Sequence, residues 1–127
     1  MRLLLVERSA LFRESLRRFL EKKCPMNDIA EGDDLFLIQQ QIAVVLPDAI
    51  LLDLSLFRNS DLESAGWIHL YAPHIPVIIL YGYFDRVILS QGCIAEAFTC
   101  IAKDSVFNDL PAAINELDIK KGQFHIH

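Results

Sequence analysis

The chain has 127 residues, 53% of them hydrophobic and 23% charged, with a formal net charge of −5. That length supports one domain with a single sizeable core, and the composition argues against a disordered chain. The acidic balance argues against this domain gripping nucleic acid by itself, because phosphate contacts need a basic face.

In chain order, Leu3–Val6 is a continuous apolar run of the kind that forms a strand buried on both faces. It is too short for a secretory signal, and Glu7 and Arg8 interrupt it. Ser9 is placed to cap a helix over 10–23, where Phe12, Leu16, Phe19 and Leu20 recur at helical spacing as a core stripe. Cys24-Pro25 ends it, since proline cannot extend the hydrogen-bond ladder. A short strand is expected around Asp28–Ala30. Asp33 or Asp34 would then cap a helix carrying Leu35, Ile38 and Ile42 to about Val45.

Ala49–Leu54 reads as the third strand, and 60–71 as a helix weakened by Gly66. Val77–Tyr81 is the fourth strand, with Gly82 at its end and a short helix over 84–91 beyond. Phe98–Ala102 is the fifth. A last helix is expected near 107–117, with Pro111 tolerated only in its first turn. Residues 118–127 have no clear period and read as a tail or the start of a linker, leaving 1–117 as the domain. No run reaches the ~18 apolar residues of a membrane span, so a cytoplasmic protein is expected. Cys24, Cys93 and Cys100 form no CxxC pair; they are expected as reduced, mostly buried thiols.

Strands alternating with helices imply βαβ units and a parallel sheet. Five such units in this length fit the doubly wound, flavodoxin-like order 2-1-3-4-5, whose ligands sit beyond the carboxyl ends of the strands. Glu7, Asp53, Tyr81 and Lys103 all stand at such ends. Neighbouring acids suit Mg²⁺, and a lysine across from them suits a phosphoryl group.

The segments LLLVERSALFRESLRRFLE, PDAILLDLSL, IPVIIL and AFTCIAKDS resemble the receiver domain of bacterial two-component response regulators, most closely the subgroup that usually carries a helix-turn-helix output domain. The resemblance covers residues 1 to about 117. Tyr81 lies 28 positions after Asp53, and Lys103 lies 22 after Tyr81, which suits the family pattern. The resemblance implies that Asp53 accepts phosphate from a histidine kinase and that Lys103 binds the phosphoryl oxygens. It implies that Glu7 and Asp53, with the backbone carbonyl of Ser55, are the Mg²⁺ ligands. It implies dimerisation, or contact with an output domain, through the last strand and its flanking helices.

Three positions depart from the family pattern. Arg8 replaces the second acid of the metal site. Tyr81 replaces a small hydroxyl residue beside Gly82 in the pocket. Cys100 replaces the switch aromatic. Two readings follow. In one, Asp53 still takes phosphate, with weakened Mg²⁺ dependence. In the other, Arg8 pairs with Asp53 or Glu7, no Mg²⁺ is bound, and the domain acts as a phosphorylation-independent interaction module. No GxGxxG and no Walker A loop supports an unrelated nucleotide-binding enzyme. Beyond self-phosphorylation and dephosphorylation at Asp53, no enzymatic activity is expected.

Overall fold

The apolar run at the amino terminus becomes strand β1 (Arg2–Val6), whose residues Leu3 to Val6 are wholly buried. Burial on both faces explains the absence of alternation: Leu4 and Val6 enter one layer of core, Leu3 and Leu5 the other. The computed structural model describes residues 1–25, 27–33, 38–57, 73–82 and 99–125, those beyond 117 by backbone alone. The remaining strands are β2 (Asp28–Gly32), β3 (Ala49–Asp53), β4 (Val77–Tyr81) and β5 (Thr99–Ala102). They pair in parallel in the order β2-β1-β3-β4-β5, the expected doubly wound arrangement.

Helix α1 (Ala10–Lys23) starts where the serine predicts, with Ser9 Oγ accepting from the Phe12 N–H at 3.2 Å. It stops at Cys24, whose N–H still reaches Leu20 O at 2.7 Å before Pro25 ends the ladder. Leu16 and Leu20 are its fully buried residues, and Phe12 and Phe19 pack beside them. Arg17 and Arg13 tie the helix to Glu31 on β2, at 3.2 and 4.0 Å. Helix α2 (Ile38–Val45) covers the opposite face through Ile38 and Ile42. The helices expected over 60–71 and 84–91, with Trp67 and Cys93, lie outside the described residues.

The last helix, α3 (Val106–His125), joins α1 on its face of the sheet through Val106, Leu110 and Ile114. It departs from expectation at both ends. A 3-10 turn over Lys103–Ser105 leads directly into it, so Pro111 falls beyond the first turn. Phe107 O thereby loses its intrahelical donor; Phe107 is itself 43% exposed, where water can take that donor's place. The helix also continues to His125, through residues read as an aperiodic tail. Periodicity marks a buried stripe, and beyond Leu117 the sequence has none, although Lys120, Lys121 and Gln123 are good helix formers.

Leu46 follows α2 with φ at 53°, the left-handed position where glycine or asparagine usually ends a helix. Its N–H bonds Ile42 O at 2.9 Å, and its side chain is 68% exposed, so little packing offsets the strain. Leu46→Gly is therefore expected to raise stability by roughly 0.5 kcal/mol, the relieved strain exceeding the added freedom of the unfolded chain. A urea midpoint that stays in place or falls would contradict this.

Candidate functional site

Glu7 and Asp53 are brought together by register. Val6 pairs with Leu52 in the β1–β3 ladder, so the next residue on each strand lies at the same carboxyl edge of the sheet. Lys103 follows β5, two strands from β3. Crossing two inter-strand spacings is roughly 10 Å, a gap that the lysine stem closes together with the acid side chains reaching toward it.

Lys103 Nζ bridges the two acids, 3.1 Å from Glu7 Oε1 and 3.0 Å from Asp53 Oδ1. Both acids are buried, with no exposed surface. Asp53 Oδ1 also accepts from the Ser55 N–H at 3.0 Å. Its Oδ2 accepts from Ser55 Oγ at 2.6 Å and from the Arg8 N–H at 3.3 Å. Burial, the largest single influence, would push the Asp53 carboxyl up. Hydrogen bonds from Ser55, Glu7 and Lys103, with the lysine's charge, outweigh it and hold the group below its ordinary 3.8.

Glu7 is the opposite case. Oε1 accepts from Lys103 and from the Ser9 N–H at 3.1 Å, while Oε2 is buried with no hydrogen-bond partner among the described residues. Burial first, then the charge of Asp53, pushes Glu7 up from 4.5 to about 7. The Ser9 N–H and Lys103 oppose this incompletely. A proton on Glu7 lets it donate to Asp53, so the acids share one proton and one ammonium. The Glu7 backbone is fixed as well: its N–H donates to Gly32 O at 3.0 Å, and its carbonyl accepts from Arg13 Nη1 at 2.7 Å.

The ion pair of Arg8 with Asp53 or Glu7, which only the second of the two readings calls for, is not formed among the described residues. Arg8 is exposed and reaches Asp53 only through its main-chain N–H. Glu7 turns into the core at the strand end, so the next side chain turns out, and Lys103 fills the space between the carboxylates. Tyr81 ends β4 and Gly82 follows it, both half-buried; the Tyr81 ring packs with the α2-side core. Cys100 is half-buried against the same core, and burial pushes its thiol above 9.0.

Some contacts are not legible in the sequence. Ser55 contributes its N–H and hydroxyl, where only a carbonyl was expected. Arg13 clamps the strand end from what reads as an outer helical face. The Phe12 ring, expected only as core, lies under Lys103 with its centroid 4.9 Å from Nζ. Phe12 and Lys103 are 91 positions apart, and no local pattern connects them.

No curated protein sequence matches the chain. Among solved structures, it is similar to the signal receiver domain of a DNA-binding response regulator from Colwellia psychrerythraea 34H, with 25% identity, a TM-score of 0.77 and coverage of 92% of this chain and 97% of that one. It is similar in fold to the REC domain of AraT, a response regulator from Geobacillus stearothermophilus, at 17% identity, a TM-score of 0.80 and coverage of 98% and 97%. It also resembles in fold RcsB from Salmonella typhimurium, at 18% identity and a TM-score of 0.79, covering 94% of this chain and 60% of that longer one. The sequence pattern of the response regulator receiver domain matches residues 3–115. With a match over nearly its whole length, the chain belongs to the response regulator receiver domain family, the receiving modules of two-component signalling.

Proposed function

We propose that Asp53 accepts a phosphoryl group from the phosphohistidine of a kinase. The observation that carries this reading is the Lys103 ammonium held between two buried carboxylates at one lip of the sheet. The hydrogen bonds to Asp53 keep it ionised, as a nucleophile must be. An Asp53 oxygen attacks phosphorus, the P–N bond breaks, and the histidine leaves with that electron pair. Lys103, already 3.0 Å from Asp53, is placed to follow the charge onto the phosphoryl oxygens.

The donors fit Mg²⁺ in kind. Among the described residues Glu7 Oε2 accepts no hydrogen bond though it is buried, and the set is hard oxygen. Glu7, Asp53 and the Ser55 carbonyl would hold the ion. It would supply positive charge against the phosphoryl oxygens. With Arg8 in place of a third acid, the binding is expected to be weak.

A second reading, a phosphorylation-independent interaction module, is favoured by one observation: Lys103 already bridges both acids. Incubation with acetyl phosphate and Mg²⁺ separates the two. One phosphoryl adduct is expected on Asp53 by mass spectrometry, and none in Asp53→Asn. An unmodified native chain would favour the interaction module, and an adduct persisting in the variant would reject Asp53 as acceptor.

In either case the partner is a histidine kinase or another signalling protein. A homodimer through β5 and the flanking helices is the corresponding assembly. The net charge of −5 suits protein rather than nucleic-acid contact. Among the described residues no helix is long and apolar enough to cross a membrane.

A further inference from the structure

The ammonium of Lys103 has three N–H groups, and the two carboxylates account for two. Its side chain keeps 22% of its surface open. The Phe12 ring lies under it, 4.9 Å from centroid to Nζ, inside the ~6 Å at which the negative face of an aromatic ring attracts a cation. The ring is itself fixed. Phe12 is the third residue of α1, its N–H is held by Ser9 Oγ at 3.2 Å, and its side chain packs on the core shared by α1 and α3.

We propose that Phe12 is a positioning residue whose ring face holds the Lys103 ammonium against Glu7 and Asp53. This rests on the phosphoacceptor reading of Asp53 and adds a residue to it. On phosphorylation the ammonium must swing from Glu7 toward new oxygens without leaving Asp53. Hydrogen bonds to carboxylates are directional and break in such a swing. Attraction to a ring face is broad and survives it. A leucine at this position would fill the same space without attracting the cation.

The test separates ring electronics from packing. Phe12 is replaced in the full chain by 4-fluoro- and 3,4,5-trifluorophenylalanine, which keep the ring and progressively weaken its negative face, and by leucine and tyrosine. Two quantities are read: the rate of Asp53 labelling by acetyl phosphate with Mg²⁺, and the order of the Lys103 ammonium from ¹⁵N relaxation. Both are expected to fall in the order phenylalanine, fluoro, trifluoro, leucine. Labelling should be about three- to tenfold slower at the end of the series, and tyrosine should stay near the native value. Ammonium order unchanged in the trifluoro variant would overturn the proposal, whatever the leucine variant does. A native chain that takes no phosphoryl group refutes the acceptor reading instead; the fluorine dependence of ammonium order then decides alone whether the ring holds Lys103.

Discussion

Lys103→Met is expected to destabilise the domain by about 3–5 kcal/mol at alkaline pH, a large part of the ~5–15 kcal/mol that holds a domain of this size together. Methionine keeps most of the aliphatic stem, so the loss is chiefly the charge. Removing the ammonium leaves Glu7 and Asp53 buried side by side, each without its counterion. The protein can escape only by taking up protons. Lys103 is among the influences that lower both carboxyl groups, so both rise in the variant. The deficit should therefore shrink as pH falls and Glu7, then Asp53, becomes neutral. Urea unfolding at pH 8.5 and 5 measures this. A second substitution, Asp53→Asn, should recover part of the loss at pH 8.5, because it removes the charge left unpaired. A loss below about 1 kcal/mol at pH 8.5 would mean that water already screens the pair.

The scaffold of this site is legible in the sequence for a plain reason. Parallel strands buried on both faces appear as short apolar runs, and four of the five here contain one, so their carboxyl ends can be counted. Asp53 stands out because it is the one acid in a strand otherwise made of Ala49, Ile50, Leu51 and Leu52. The direction of Arg8 is not legible. Whether residue 7 or 8 faces the pocket depends on how the chain leaves β1, and that is decided by the Glu7–Gly32 hydrogen bond and the clamp of Arg13 on the Glu7 carbonyl. The long α3 is missed for another reason: a helix is readable only where it buries a stripe. Phe12 shows the limit most clearly. Its helical spacing assigns it to the core, which is correct, but says nothing of the cation on its face.

The two acids also show how one pocket gives like groups unlike tasks. Asp53 has four donors within 3.3 Å and stays charged. Glu7 has one oxygen with two donors and one buried with none among the described residues. Environments that push two carboxyl groups apart in this way mark the division of roles between them. On the phosphoacceptor reading proposed above, the ionised member would be the nucleophile, and the other a reservoir for a proton or a cation.

That division sets how stability changes with pH, and Glu7→Gln isolates it. Glu7 titrates near 4.5 in the unfolded chain and at about 7 in the folded one. Between those values the folded state holds a proton that the unfolded state has released. Its stabilisation is thus fully present below pH 4.5 and is lost as pH rises through 7, amounting to about 3 kcal/mol. Asp53 acts in the opposite sense: its lowered pKa stabilises the fold above pH 3.8, and that contribution disappears as pH falls further. Together the two groups favour the fold most between about pH 4 and 5. Glutamine has the shape of protonated glutamic acid and can donate to Asp53 through its amide, so Glu7→Gln should match the native chain at pH 4. At pH 8, with EDTA present, it should be the more stable by about 3 kcal/mol. Unfolding curves of the two proteins that shift in parallel from pH 4 to 8 would show that Glu7 is already ionised in the folded state. Lys103 would then be paired with two charges, and Glu7 would hold no proton for an incoming cation to displace.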